Sequence, residues 1–384
     1  MTHVAIIGCG IVGAAIAYQL SGVSGLQVTV LDRHPPAQGS TGAALGVLMG
    51  VISQKVKGRT WQLRQASMQR YETLIPELET LTGHHIPFNR QGILMLAFEN
   101  DDLARWQNLV KIRQSQGWQL EIWNTAQVES HCPQLNLENS IGAIYSPNDR
   151  QVEPTALTHA LVAAAQQRGV TFKFGVGVEG VESMPVNGSN QRICQQIYTQ
   201  METLAVDWLV IAAGLGSAQL VNFLLSPPNQ SSAIALKPVL GQALQLRLGN
   251  TIGHPDFQPV ITADDVHIVP IGGGDYWVGA TVEFPHGTEV VAEPALLEQV
   301  KQDAIGFCPA LAQATVVRTW LGKRPRPEGQ PAPVIGKLSG YNNVLLATGH
   351  YRNGVLLAPT TAQDIQRIIC TTLDNPVDIL TKHG

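Results

Sequence analysis

The chain has no surplus of basic charge. Its 25 Lys and Arg stand against 29 Asp and Glu, a formal net charge of −4, so neither a nucleic-acid partner nor an anionic membrane surface is suggested. Cysteine is scarce: Cys9, Cys132, Cys194, Cys308 and Cys370 are scattered, odd in number and without a C-x-x-C pair. That pattern argues against a disulfide framework and a zinc site and suits a reducing cytosol, so a metal-free, cytoplasmic protein is expected. Long hydrophobic runs are missing too. Residues 4–20 come nearest to a leader or anchor, but Met1-Thr2-His3 lacks a cationic start, the glycines fall in a nucleotide-binding pattern, and no later run reaches membrane-spanning length. No internal repeat or low-complexity tract occurs. Apolar residues are plentiful, 44% hydrophobic against 14% charged over 384 residues. That is enough for a large core and too much chain for one ordinary unit, so a two-part globular enzyme is expected.

The amino terminus lays out a dinucleotide-binding unit in order. Residues 3–7 are a short apolar run, read as a buried strand. Gly8-Cys9-Gly10-Ile11-Val12-Gly13 follows, residues 14–20 continue as a helix, and a second apolar run over 27–31 ends in Asp32. Gly8 permits the tight strand-to-helix turn, Gly10 lets the backbone approach a pyrophosphate, and Gly13 lets the helix lie close on the strand. The helix start then offers N–H groups to phosphate. Asp32 stands about twenty residues on, where a carboxylate holds a ribose hydroxyl. G-x-G-x-x-G alone says little; between two strands and closed by an acid it is a strong signal. These residues leave NAD and FAD both open.

Further along, Gly39-Ser40-Thr41-Gly42-Ala43-Ala44-Leu45-Gly46 packs small residues densely, which implies close approach of backbone to backbone or of backbone to a flat ligand. Residues 60–81 carry a helical apolar stripe of Leu63, Met68, Tyr71, Leu74, Ile75 and Leu78. A strand is expected over 92–98, a polar helix over 101–116, an amphipathic helix over 154–168 with Pro154 in its first turn, and a strand over 170–174. Residues 208–212 read as a buried strand that runs into Ala213-Gly214-Leu215-Gly216. Residues 241–248 alternate like a half-buried antiparallel strand. Residues 266–271 and 276–283 form a hairpin about Gly272-Gly273-Gly274-Asp275. Residues 344–348 are another buried strand and 360–372 a closing helix. The expected class is therefore α/β: a Rossmann-like nucleotide domain of residues 1–82, 148–222 and 323–384, interleaved with an α+β substrate domain of 83–147 and 223–322 on an antiparallel sheet.

Two late segments carry most of the chemistry. The first is Trp320-Leu321-Gly322-Lys323-Arg324-Pro325, followed by Pro333-Val334-Ile335-Gly336. The second is Ala347-Thr348-Gly349-His350-Tyr351-Arg352-Asn353-Gly354-Val355-Leu356-Leu357-Ala358-Pro359, a strand, a glycine turn and a helix start in succession. With these and the amino-terminal unit, the chain resembles the D-amino-acid-oxidase superfamily of FAD enzymes, most of all its glycine-oxidase branch. Matching stretches are spread over almost the whole length: 4–32, 40–48, 148–156, 209–214, 238–246, 267–281, 320–325 and 349–359.

The resemblance implies FAD, held non-covalently because no cysteine falls in an attachment motif. Ile11 and Val12 would border the pyrophosphate, and Asp32 with Arg33 the ribose. Ser40, Thr41, Gly46, Val47 and Leu48 would lie along the ribityl chain and flavin edge, and Val178 at the adenine. Ala213 and Gly214 fall in a matching stretch. His350, Tyr351, Arg352, Asn353, Gly354, Val355 and Leu356 would place N–H groups near the flavin C2 carbonyl, where a helix start stabilises negative charge. Arg324 resembles the arginine that grips the substrate carboxylate in a bidentate fork, and Arg352 would sit beside the same pocket. Because the segment after Pro325 is one residue short of the family pattern, Arg326 is a rival anchor. His267 stands where the family has a tyrosine, either as a donor to substrate whose protonation matters near neutral pH, or as a histidine satisfied within its strand.

The reaction implied is oxidation of a small amino acid to its imine by hydride transfer, with dioxygen taking the electrons and leaving as hydrogen peroxide. With glycine the product would serve thiamine thiazole formation, beside a thiazole synthase. A D-amino-acid dehydrogenase using a quinone or carrier, and a sarcosine-type secondary-amine oxidase, are the rivals. The residues are compatible with a homo-oligomer and assign no oligomeric state.

Overall fold

The computed structural model describes residues 1–225, 234–285 and 291–374; the remainder of the expected spans 223–322 and 323–384 lies outside the described residues. Two large sheets organise the chain. The first has six strands in the order Val334–Lys337, Val344–Thr348, Trp208–Ile211, Thr2–Ile7, Leu26–Asp32 and Thr171–Phe174. Its neighbours are parallel, with Val4 beside Trp208 and Leu209 beside Val344, except that Val334–Lys337 runs antiparallel at one edge.

A parallel sheet must be covered on both faces, which is why its strands are continuous apolar runs. Along Thr2–Ile7, Val4 and Ile6 pack against one core and Ala5 and Ile7 against another. Helices Ile11–Ser21, Gly58–Thr82, Pro154–Gln167 and Gly354–Asp374 build the first core. The second lies under helix Ser217–Leu224 and a three-stranded antiparallel sheet of Val178–Pro185, Arg192–Thr199 and Thr203–Ala205.

The other large sheet has eight strands in the order Thr315–Glu328, Ala235–Arg247, Asp275–Gly279, Val266–Gly272, Val260–Ala263, Ile93–Phe98, Ser140–Ser146 and Glu121–Trp123. All neighbours are antiparallel except Val260–Ala263 beside Ile93–Phe98. The fold is thus α/β, Rossmann-like in its first sheet and mixed in its second, as expected. Strand Thr315–Glu328 continues through position 323, and Arg324 is paired within it opposite Val239.

Two elements depart from their expected form. The strand expected to be half-buried over 241–248 runs Ala235–Arg247 and is buried on both faces from Val239 to Leu246. Leu244 and Leu246 enter one core while Ala243 enters another. Its polar positions are hydrogen-bonded rather than solvated: Gln242 Nε2 donates to Glu283 and to the Glu293 carbonyl, and Gln245 Nε2 donates to Asp275. The helix start expected within 347–359 and the closing helix expected over 360–372 are one element, running from Gly354 to Asp374. Pro359 lies inside it and has no N–H for the carbonyl four residues back. That carbonyl, of Val355, accepts instead from Tyr71 Oη at 2.5 Å, so the helix passes through its proline.

Candidate active site

A cavity of about 650 Å³ lies between the two sheets. Its floor is the turn between Thr2–Ile7 and Ile11–Ser21. Gly8 has φ +105°, and a Cβ there would stand 2.5 Å from the Ala212 carbonyl oxygen; a Cβ on Gly13 would stand 1.9 Å from the Gly8 oxygen. Gly8 thus makes the turn and Gly13 seats the helix, while Gly10, Ile11 and Val12 line the cavity. Helix Ile11–Ser21 has no side-chain cap from its N-cap Gly10; the Ile11 N–H donates to Thr41 Oγ1 at 3.0 Å. Asp32 lines the cavity at the end of its strand, accepting from the N–H groups of Cys9 at 2.6 Å and His34 at 2.9 Å. Arg33 and Val178 line it as well, as do Ala213 and Gly214.

The small-residue loop serves both kinds of close approach. A Cβ on Gly46 would lie 1.7 Å from the Val152 oxygen, and one on Gly42 2.4 Å from the Ala37 oxygen; these glycines let backbone meet backbone. Ser40, Thr41, Ala43, Ala44, Gly46 and Val47 face the cavity, whereas Leu48 is wholly buried in the first core. The loop is tied to the strand carrying Arg324. Ser40 Oγ donates to the Lys323 carbonyl at 2.6 Å and Trp320 Nε1 to that of Ala43 at 3.1 Å.

Arg324 lines the cavity; Arg326 does not, being exposed with its guanidinium over Phe284. Arg324 Nη1 donates to the carbonyls of Leu240 at 2.6 Å and Thr281 at 3.0 Å. Its two hydrogens are thereby committed, leaving Nε and Nη2 as the edge with which a carboxylate can form a fork. A Cβ on Gly241 would stand 2.2 Å from Nη2, so that glycine is the room in which the guanidinium lies. Glu283 steadies the arrangement: it accepts from the Thr281 hydroxyl, from Gln242 Nε2 and from the Glu293 N–H.

His267 also lines the cavity, with Nδ1 2.9 Å from Thr262 Oγ1. Burial, helped by the positive charge of Arg352, pushes it down to about 4. Of the two expected roles, the bond to Thr262 fits a histidine satisfied by a neighbouring strand, and a desolvated imidazole near arginines favours the neutral form. His350 has a buried side chain, Nε2 lies 2.9 Å from Thr361 Oγ1, and burial pushes it down to about 4. Tyr351, Arg352, Gly354, Val355 and Leu356 line the cavity with it, and Asn353 stands behind them, accepting from Arg64 Nη2 at 3.0 Å.

A family described as FAD dependent oxidoreductase matches residues 3–367. The chain belongs to that family. The bifunctional protein ThiO/ThiG of Nostoc sp. is 30% identical over 379 residues, covering 97% of this chain and 53% of that protein. Glycine oxidase of Bacillus licheniformis is 27% identical over 377 residues, covering 97% of this chain and 93% of that protein. The crystal structure of glycine oxidase from Bacillus cereus superposes with a TM-score of 0.83 at 26% identity, covering 100% of this chain and 99% of that one. The chain spans about half the length of the bifunctional relatives it matches.

The oxidoreductase has an FAD-binding fold, and its residues fit the cofactor without a covalent bond. The Gly8 to Gly13 turn is a cradle that added Cβ atoms would fill. None of the five cysteines lines the cavity, and burial pushes Cys9, Cys132, Cys194 and Cys308 up to about 12, so these four thiols are poor nucleophiles. Among the described residues no helix is long and apolar enough to cross a membrane and no side-chain cluster could hold a metal ion.

The sequence pointed to most of these positions but missed Asp265, which lines the cavity and pairs with Arg352, and Gly241 and Glu283, which shape the seat of Arg324. None of these carries a local motif; the nearest signal is the Asp264-Asp265 turn between two alternating strands.

Proposed function

We propose that the chain oxidises a small amino acid, glycine or a near relative such as sarcosine, to its imine, with dioxygen as the final acceptor and hydrogen peroxide as the by-product. The observation that carries this reading is Arg324: one nitrogen is spent on two carbonyls, which leaves Nε and Nη2 for a carboxylate, and the residue lines the cavity that contains the glycine cradle. When bound, FAD supplies the two-electron acceptor for the substrate's α-hydride. Arg324 fixes the substrate carboxylate and so orients the α-carbon, which is mostly a matter of position. His267, neutral at pH 7, offers Nε2 as a hydrogen-bond partner while Thr262 holds Nδ1. The turn at Gly349 and the start of helix Gly354–Asp374 bring backbone N–H groups to the cavity, where negative charge on a reduced cofactor would be stabilised.

The same reading divides the chain into a cofactor unit of residues 1–82, 148–222 and 323–384 and a substrate unit of 83–147 and 223–322. It gives the protein a cytoplasmic place and no nucleic-acid partner. Likeness to the ThiO/ThiG proteins supports a role in making the thiamine thiazole. The test is anaerobic mixing of the yellow protein with glycine, sarcosine and D-alanine, followed by air. Bleaching by glycine or sarcosine and rapid recolouring in air is expected. Bleaching without recolouring would assign a dehydrogenase with a quinone or carrier, and no bleaching by any of the three would overturn the substrate class.

A further inference from the structure

At the rim of the cavity Arg352 Nη2 donates to Asp265 Oδ1 at 2.7 Å. The partners come from different elements, Asp265 from the turn joining Val260–Ala263 to Val266–Gly272 and Arg352 from the helical turn Tyr351–Asn353. Both line the cavity with Arg324 and His267. Their side chains are 38% exposed for Arg352 and 64% for Asp265, so the pair contributes little to stability. Stability therefore does not account for a carboxylate on the wall of a cavity built to admit one.

Charge does. Arg33 and Lys323 line the cavity too, but Arg324 and Arg352 act on each other and on His267; without Asp265 both of these guanidinium groups would be uncancelled beside His267, and a ligand with two carboxylates would satisfy both. The only other carboxylate lining the cavity among the described residues is Asp32, already bonded to two backbone N–H groups. Glu283, close to Arg324, is engaged by Thr281, Gln242 and the Glu293 N–H. Asp265 alone is placed to cancel Arg352, and a second substrate carboxylate would meet its negative charge. Both Asp265 and Arg352 act electrostatically on His267 and on Arg324, so the pair belongs to the site rather than to the outer surface.

We propose that Asp265 determines specificity by masking Arg352, so that the site takes amines with one carboxylate and an uncharged remainder and rejects those with a second carboxylate. The proposal rests on the reading of Arg324 given above. It is rejection by a like charge rather than by shape.

The test is calorimetric titration of the FAD-loaded protein with acetate and with malonate, which measures binding without turnover. In Asp265→Asn and Asp265→Ala the malonate-to-acetate affinity ratio should rise about tenfold, the order of one charge-assisted hydrogen bond. The rise should vanish when Arg352→Gln is added to Asp265→Asn. Turnover should follow, with iminodiacetate gaining on sarcosine. A ratio within about twofold of the unaltered protein in both single variants overturns the masking, as does a rise that survives Arg352→Gln. Failure of the functional reading looks different: acetate affinity would then be indifferent to Arg324→Ala, while the malonate ratio would still judge Asp265.

Discussion

On the side of the first sheet the cavity is bounded by turns and small residues, Gly8, Gly10, Ala213, Gly214 and Gly349, whereas on the side of the second it is bounded by Arg324, His267 and Asp265, whose side chains carry the chemistry. The first surface is set by what is missing from it: a Cβ at Gly8 or Gly13 would overlap backbone. The second is set by charges that are held, bent or cancelled by neighbours on other strands. A cofactor of fixed shape is served by a fixed backbone, and a substrate that must be chosen among similar amines is served by side chains. The two surfaces should therefore fail differently.

The harshest test of the contrast is Gly46→Val. The added Cβ would fall 1.7 Å from the Val152 oxygen, a distance no side-chain adjustment relieves, so the variant should lose flavin and fold together. Purified protein that is fully yellow would show that the loop is not the rigid part. Gly10→Val should also prevent loading, although the nearest obstacle to its Cβ is only the Thr41 hydroxyl at 3.0 Å; its effect should come from blocking the cofactor and leave the melting temperature of the apoprotein nearly unchanged.

Arg324→Ala should do the reverse. Flavin is retained, and kcat/KM for glycine falls by about 3 kcal/mol of transition-state binding, the cost of removing one partner of a buried ion pair. Steady-state rates beside the visible spectrum would separate the two effects, and unaltered kinetics would move the anchor elsewhere. A smaller effect concerns His350. Its folded value of about 4 lies below the ordinary 6.5, so between these limits the unfolded chain binds more protons. Stability is full above about pH 6.5 and should fall by about 2 kcal/mol on going from pH 8 to pH 5 through this residue. Denaturant titrations of His350→Gln should show a flatter pH slope; an unaltered slope would mean that the imidazole has the same proton affinity folded and unfolded. Last, Arg352→Gln removes a solvent-exposed ion pair and should change stability by less than about 1 kcal/mol. A larger loss in melting experiments would make Arg352 part of the scaffold.

How much of this could be read from the residues follows the same division. Gly8 to Gly13 and Asp32 form one contiguous motif, because a strand, a turn and a helix are neighbours along the chain as well as in space. Arg324 was visible through Trp320 and Gly322, which pack on Ala43 and carry it into place. The seat of that arginine was not visible: Leu240, Gly241 and Thr281 meet it only through strand pairing over long separations. Nor was the state of His267, because its proton affinity is set by burial and by Arg352. The passage of one helix through Pro359 was not visible for a related reason. It depends on whether a distant hydroxyl replaces the missing N–H, and Tyr71 does.

The pairing of residue 4 with 208, and of residue 209 with 344, has a consequence for how the molecule is born. The ribosome delivers the glycine turn and its neighbour Leu26–Asp32 early, yet the strand on the other side of Thr2–Ile7 emerges only near residue 208, and the next one near residue 344. Until then Thr2–Ile7 has Leu26–Asp32 on one side and an unpaired edge on the other. The nascent chain must carry that unpaired edge through most of translation, which makes early residues the ones in need of a chaperone and makes slow, high-contact-order assembly the expected course of refolding.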